Sequence, residues 1–240
     1  MKTYFYRQWP FRQKWVWFAQ PADEAGVDLL NVFSYDEVPA SGFKKKMGWT
    51  SVIKLDQNLD LIKSKFRQKF IVEQLEKGER KGIVVKQDNN FAGFYPLYKN
   101  FRALKKIARD RYAVLKREGI LFSAYHEGEM LAGGIFIGDG ASLRAWVLAS
   151  KRLDGVSGPE RELVGQANRL IIWEAIKYAK EHGYQLFDLG GINPDSDDRA
   201  EQGLAEFKEA FGGERVPTFY YTKSYSPLLN FWLKLRRLWR

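Results

Sequence analysis

The chain has 240 residues, of which 45% are hydrophobic, 28% charged and 15% aromatic, a composition that excludes a disordered or collagen-like chain and predicts a full hydrophobic core. It has no cysteine and only two histidines, which excludes disulfide bonds, a thiolate nucleophile and a multi-histidine metal site. We therefore expect no metal and no tightly bound cofactor. The formal net charge of +10 predicts an anionic partner, such as nucleic acid, a pyrophosphate-bearing cosubstrate or an anionic lipid surface.

Apolar stretches in the sequence are short. Charged residues and a proline interrupt those of the segment MKTYFYRQWPFRQKW, and no run of about 18 uncharged apolar residues occurs. We therefore expect a cytoplasmic protein without a signal peptide or membrane span. Its basic charge leaves open a peripheral contact with the inner face of the membrane.

The first half of the chain mixes short strands with helices that carry basic residues. Residues 1–50 have no clear hydrophobic period and are predicted to form short strands and loops. The predicted elements that follow are a strand at 50–55, one basic helix over 57–77 that ends at Gly78, a strand at 82–88, a helix at 90–100 and a helix at 103–118 that ends at Gly119.

The second half begins with three β-type runs separated by short glycine-bearing turns. The predicted elements are strands at 120–126, 130–138 and 142–150, a buried helix at about 163–182, a strand at 185–191, a helix at 199–211, a strand at 216–222 and a helix at 227–239. This order resembles the GNAT acyltransferase fold, an α/β (α+β) fold with a central mixed, mostly antiparallel sheet flanked by helices. The predicted organisation is an aromatic-rich N-terminal extension at 1–50 that packs on the core, a GNAT-like acyltransferase domain at 51–225 and an amphipathic basic helix at 226–240.

A cofactor-binding turn is predicted where the long helix begins, in the sequence PERELVGQANR. Gly165 and Ala167 are small enough for backbone amides at a helix N-terminus to approach a pyrophosphate. The turn resembles that of GNAT enzymes, which reads Arg or Gln, two residues, Gly, one residue, then Gly or Ala, but Glu162 replaces the cation. The candidate cofactor-binding residues are Gly165, Gln166, Ala167, Asn168 and Arg169. A helix that packs closely through small residues would give the same pattern.

The stretch 187–214 places a carboxylate and two glycines at the end of a strand, followed by a capped helix. Asp188 precedes the pair Gly190 and Gly191. Asp198 and Glu201 fit a capping box at the start of the helix.

One lysine of that helix borders its apolar face. On a helical wheel, Leu204 and Phe211 lie within about 20° of each other, and Lys208 lies about 40° from Leu204. We expect Lys208 to be partly buried. It would then either work at a reaction centre or cover apolar surface with its alkyl chain as a structural lysine.

The motif FDLGG, a variable loop and then GLAEFKEAFGGE resemble the FemABX family, whose enzymes add amino acids to peptidoglycan precursors from aminoacyl-tRNA. The helix ANRLIIWEAIKYAKEHGY is similar to the central helix of that family. The resemblance implies that Phe207 forms part of the acyl-donor wall and that Lys208 is the cation near the developing negative charge. The other candidate substrate-binding residues are Gly190, Gly191, Asn193, Trp146 and Tyr220.

Two features depart from the family. FemABX enzymes contain two GNAT-like domains, whereas this chain has room for one complete domain and a small addition. The segment FRQKFIVEQLEKGERKGI carries Glu73, Leu75 and Glu76 where the family has more cations.

The C-terminal segment SPLLNFWLKLRRLWR begins with Ser226 as a cap and Pro227 at the first helical position. Its apolar residues fall on one face and its basic residues off that face. Such a helix either lies on an anionic membrane surface near a lipid-linked acceptor or docks on the core of its own domain.

Amide formation requires a neutral amine, an activated acyl carbon held near it and stabilisation of the oxyanion. Lys208 could supply the stabilisation. Asp188 is the best candidate for a base, although it could instead hydrogen-bond backbone amides and organise the Gly190–Gly191 turn. Tyr220 and its neighbour Tyr221 could line the pocket or donate to a thiolate, or simply belong to the core.

Three functions are compatible with these residues. The first is an N-acyltransferase of cell-envelope biosynthesis that uses a thioester of coenzyme A or acyl carrier protein and a small-molecule or lipid-linked amine acceptor, such as an amino sugar or amino acid. The second is an aminoacyl-tRNA-dependent peptidyltransferase that acts on a peptidoglycan precursor. The third is a non-catalytic adaptor at the membrane surface.

Overall fold

The computed structural model describes residues 1–8, 10–106, 110–151 and 158–231. These residues form two compact units, one made of residues 1–50 together with the described residues from 215 onward and the other of the described residues between 51 and 214. No helix in the described ranges is both long enough and apolar enough to cross a membrane.

The first unit is built from strands β1 (Lys2–Gln8), β2 (Phe11–Trp17), β3 (Leu29–Ser34) and β10 (Glu214–Ser224). Strand β2 pairs antiparallel with β1 and parallel with β3, and β3 pairs antiparallel with β10. Its core contains Leu30, Val32 and Tyr221, all about 1% exposed. Because β10 pairs with β3, the strand residues from 215 onward belong with residues 1–50. The predicted domain boundary at 225 therefore differs from the one observed.

Strand β4 (Lys44–Lys54) leads into the second unit, whose sheet has the order β9-β8-β7-β6-β5. Its strands are β5 (Val84–Asp88), β6 (Ile120–His126), β7 (Glu129–Gly138), β8 (Ser142–Ser150) and β9 (Leu186–Ile192). Strands β5 to β8 form an antiparallel meander, and β9 pairs with β8 in parallel. The prediction of a mixed, mostly antiparallel sheet is confirmed.

Helices cover both faces of this sheet. Helix α3 (Phe91–Leu104) packs on one face of β7, and α5 (Gly158–Glu181) packs on the other. Two glycines of β7 make this possible: a Cβ on Gly133 would lie 2.3 Å from Phe94 of α3, and one on Gly134 would lie 2.8 Å from Ile171 of α5. Since successive strand residues point to opposite faces, each glycine admits one helix.

The predicted long helix at 57–77 is wrong as a single element. The chain forms α1 (Leu59–Ser64), a π-helical segment at Gln68–Val72 and α2 (Glu73–Arg80). Gly78 does not end α2 but lies within it. A Cβ there would lie 2.9 Å from Leu170 of α5, so the absence of a side chain lets the two helices pack closely. The glycine serves close helix packing rather than termination.

The helices before and after the meander also differ in their bounds. Helix α3 continues through Ala103 to Leu104, and a separate short helix, α4 (Tyr112–Glu118), ends at Gly119 as predicted. Helix α6 (Arg199–Glu209) follows β9. Ser226 caps the C-terminal helix by accepting a hydrogen bond from the Leu229 amide, and of that predicted helix only the part up to residue 231 is described.

Candidate active site at the end of strand β9

The parallel pairing of β8 with β9 ends at Arg144 and Asp188, which are opposite each other in register. Their side chains form a buried ion pair between Arg144 Nη1 and Asp188 Oδ2, with exposed fractions of 4% and 0%. The other carboxylate oxygen, Oδ1, accepts a hydrogen bond from the Gly190 amide at 2.7 Å. Asp188 therefore holds the β9 backbone at the point where the two strands stop pairing.

Gly190 occupies a position that no other residue fills well. Its φ angle is +83°, and a Cβ there would lie 2.9 Å from the Ala145 carbonyl oxygen and 3.2 Å from Lys208 Nζ. The left-handed backbone and the close approach of a carbonyl both exclude a side chain. The next residue, Gly191, is exposed, and its carbonyl oxygen accepts a hydrogen bond from Lys208 Nζ at 2.8 Å.

Lys208 lies on α6 and is only 8% exposed, as the helical wheel predicted. The pKa of its ammonium group is lowered from 10.5 to about 7: burial lowers it most, the positive charge of Arg144 also lowers it, and the negative charge of Asp188 raises it. A lysine with a pKa near neutrality changes charge easily, which is typical of reactive sites and unusual for a structural lysine. The rest of the predicted apolar face is less regular, because Leu204 is 46% exposed.

The start of α6 is held by a cap that differs from the predicted capping box. Asp198 accepts a hydrogen bond from the Ala200 amide at 2.8 Å, as expected of an N-cap. The second half of the box is wrong: Glu201 accepts from Asn193 Nδ2 at 2.7 Å, while the Asp198 amide donates to Ser196 Oγ. Asn193 thus ties the loop after β9 to the first turn of α6.

Phe207 packs beside the helix that was expected to bind a cofactor. Its ring lies edge-on to Phe211 at 5.6 Å, and the guanidinium of Arg169 lies 5.3 Å from its centre. Arg169 also donates to the carbonyl oxygens of Phe70 and Gly165, at 2.7 and 2.8 Å. Arg169 and Phe207 are therefore neighbours within a packed set of side chains.

The predicted cofactor-binding residues do not lie at a helix N-terminus. Helix α5 begins at Gly158, so residues 165–169 are inside it, where backbone amides are already bonded along the helix. Ala167 and Gln166 are completely buried, and Asn168 Nδ2 donates to the Val164 carbonyl oxygen. The prediction of free amide donors at Gly165 to Arg169 is wrong, and the alternative of close helix packing applies.

The earlier helix start moves the expected position of a GNAT-type turn. Directly before α5 the sequence has a cation at Arg152, two residues, Gly155, one residue and the small Ser157. This matches the GNAT pattern apart from serine at its last position. It has a cation, Arg152, at the position where the turn predicted first has Glu162. These residues lie outside the described ranges, so only their sequence supports this interpretation.

Two other predicted site residues have separate surroundings. Trp146 is half-buried in β8, at the shift in register between β7 and β8, and it packs with the aromatic cluster of α3. Tyr220 belongs to the first unit, where its ring lies 5.2 Å from that of Phe33. The structure therefore brings together Lys208, Asp188, Gly190 and Gly191 from the predicted set.

Arg144 joins this group and was not predicted. A single cation inside a β-type run gives a weak signal, because the sequence does not show that it faces an acid in the neighbouring strand. A search for one cation and one acid in two buried strands that could pair in parallel would have selected Arg144 and Asp188.

Comparison with known proteins supports the predicted resemblance. Residues 165–220 match the model of the FemAB family. No curated protein matches the chain in sequence. Among solved structures, FemX is similar over 90% of this chain and 82% of its own, with a TM-score of 0.63 and 14% identity. L-PGS from Bacillus licheniformis is similar over 88% of this chain and 72% of its own, with a TM-score of 0.52 and 14% identity. The chain therefore shares the fold of FemX and resembles the FemAB family in the segment that carries Lys208.

Proposed function

We propose that this protein is an acyltransferase of cell-envelope biosynthesis that forms an amide bond between an activated acyl group and an amine. The observation that carries the proposal is the buried ammonium group of Lys208, held at the end of β9 within the segment that matches the FemAB family. The fold shared with FemX supports the assignment. The ease with which Lys208 changes charge supports a chemical role for it.

In the proposed reaction, the nitrogen lone pair of the amine attacks the acyl carbon, and a tetrahedral intermediate forms with a negative oxygen. The ammonium group of Lys208 stabilises that oxygen. The carbon–nitrogen bond remains as the bond to the leaving group breaks, and the proton of the amine passes to the leaving group or to water. Both oxygens of Asp188 are already engaged, so we assign it to the backbone turn rather than to proton transfer.

We infer that the donor is an acyl thioester. The cation and small residues directly before α5 fit recognition of a pyrophosphate, as found in coenzyme A, at a helix N-terminus. A charged tRNA is the second candidate, favoured by the FemAB match and the net charge of +10. With a thioester donor the acceptor would be an amino sugar, an amino acid or a lipid-linked amine, and with a charged tRNA it would be a peptidoglycan precursor.

The donor can be identified by thermal shift with a panel of acyl-CoA thioesters and aminoacyl-tRNAs, followed by mass spectrometry of products with amine acceptors. We expect stabilisation by a thioester and an amide product.

Arg152→Ala should weaken thioester binding about tenfold or more, while the matched variant Arg161→Ala, on the exposed side of α5, should bind normally. Salt-sensitive binding of charged tRNA alone would select the second donor. If neither donor binds and no amide forms, the proposed function is wrong.

We also propose that the C-terminal segment contacts an anionic lipid surface. Leu228 and Phe231 are 63% and 62% exposed, although Leu229 between them is 1% exposed, and basic residues dominate the sequence that follows. Residues 232–240, which carry most of the predicted helix, lie outside the described ranges. Contact with lipid would place the enzyme near a lipid-linked acceptor.

Sedimentation with phosphatidylglycerol and phosphatidylcholine vesicles tests this contact. We expect binding to the anionic vesicles only, and about a tenfold loss in a Leu228→Glu/Phe231→Glu variant. Leu204→Glu alters an exposed leucine of the second unit and should bind as the wild type does. Equal binding to both vesicle types, or none, contradicts the proposal. Vesicle binding without turnover of any donor would instead support the non-catalytic adaptor.

A further inference from the structure

Arg144 is a buried cation in the middle of the second unit's sheet. It is 4% exposed, lies in β8 next to the end of the pairing with β9, and forms an ion pair with Asp188. Burying a guanidinium group is costly unless its partners are well placed. A side chain that serves only packing at this position would be apolar. The charge of Arg144 therefore indicates a role other than packing.

We propose that Arg144 is a positioning residue for Lys208 with two effects: it fixes Asp188, which holds the Gly190–Gly191 backbone, and its positive charge acts on the ammonium group of Lys208. This inference rests on Lys208 being the working group of the proposed function. The contacts themselves do not depend on the identity of the substrates.

The first part of the proposal follows a continuous set of contacts. Arg144 holds Asp188 Oδ2, Asp188 Oδ1 accepts from the Gly190 amide, and the carbonyl oxygen of the next residue, Gly191, accepts from Lys208 Nζ. Gly190 has a left-handed backbone that would lose its restraint without the carboxylate. Loss of Arg144 would therefore free the carbonyl that orients the ammonium group.

The second part follows from the charges around Lys208. Arg144 from β8 disfavours the ammonium form and Asp188 from β9 favours it. On α6 itself, Glu201 is engaged by Asn193 and Glu206 by Arg67, and Glu209 is the neighbour of Lys208 in the chain. In a buried site such charges act at low effective dielectric, so the removal of one member of the pair changes the proton affinity of Lys208.

The test measures the titration of Lys208 directly, by NMR of protein labelled with ¹³C at lysine Cε. Lys208→Arg identifies its signal. We expect the midpoint to rise by about one pH unit or more in Arg144→Gln, to fall in Asp188→Asn, and to lie between these in the double variant. Arg67→Gln removes an exposed cation that pairs with α6 and should leave the midpoint unchanged.

If Arg144→Gln does not fold, the double variant Arg144→Gln/Asp188→Asn can be measured in its place. The difference between Arg144→Gln/Asp188→Asn and Asp188→Asn alone again reports the effect of Arg144, and it should be upward. No upward shift in either background would overturn the proposal. Because the measurement needs no donor or acceptor, this result is independent of whether the chain proves to be an acyltransferase.

Discussion

Replacing Lys208 by methionine is expected to lower kcat/KM for amide formation by about 100- to 1000-fold, because the oxyanion would lose its buried cation. Lys208→Arg, which keeps a positive charge, should restore part of that loss. Activity is measured with the donor identified by the panel, by mass spectrometry of the amide. A methionine variant that keeps more than about a tenth of the wild-type activity would remove Lys208 from the mechanism.

Two controls separate this loss of activity from loss of structure. Lys180→Met removes an ammonium group that also donates to a backbone carbonyl, that of Leu55, and should leave activity unchanged.

Lys208→Met itself should be well folded. Since the pKa of Lys208 is about 7 in the folded protein and 10.5 when it is exposed, the unfolded chain binds more protons between these values. The unfolding free energy of the wild type, relative to the variant, should rise with pH in that window by up to about 1.4 kcal/mol per unit.

Replacing Asp188 by alanine is expected to lower the unfolding free energy by about 3–5 kcal/mol, because the buried guanidinium of Arg144 would lose its counter-charge. The Gly190 amide would lose its acceptor as well. Urea denaturation monitored by tryptophan fluorescence measures the change.

Glu206→Ala provides the matched control for Asp188. It also breaks an arginine–carboxylate pair of the second unit, but both partners are more than half exposed, with 53% and 55% of their side-chain surface accessible. We expect a change of about 0–1 kcal/mol. If the two variants lose the same stability, the pair of Arg144 and Asp188 does not carry the role assigned to it.

The strands of the meander, the order of the elements in the second half of the chain and Lys208 could be predicted because each depends on local periodicity. The runs that form β6, β7 and β8 alternate with glycine-bearing turns, and the sequence placed them within a residue of their observed bounds. The burial of Lys208 followed from the positions of apolar residues on one helix. These features can be predicted without knowing which distant residues pack against them.

Errors arose where distant contacts decide the backbone. The helical period over 57–77 does not show that the chain breaks into α1, a π-helical segment and α2, nor that Gly78 admits α5 rather than ending a helix. The sequence predicts the start of α5 about five residues too late, and the expected cofactor turn therefore falls in the helix interior. Propensity alone gives few signals for such boundaries.

By itself, the sequence determined the GNAT-type order of elements, the resemblance to FemABX and the lysine of α6, because hydrophobic periods and glycine turns act over a few residues. Only the tertiary structure decided which groups surround that lysine. Arg144 and Asp188 are 44 residues apart and meet because β8 and β9 pair in parallel until that point. A low dielectric around Lys208 exists only when these strands and α6 pack together, so neither its shifted pKa nor the role of Arg144 is visible in the sequence.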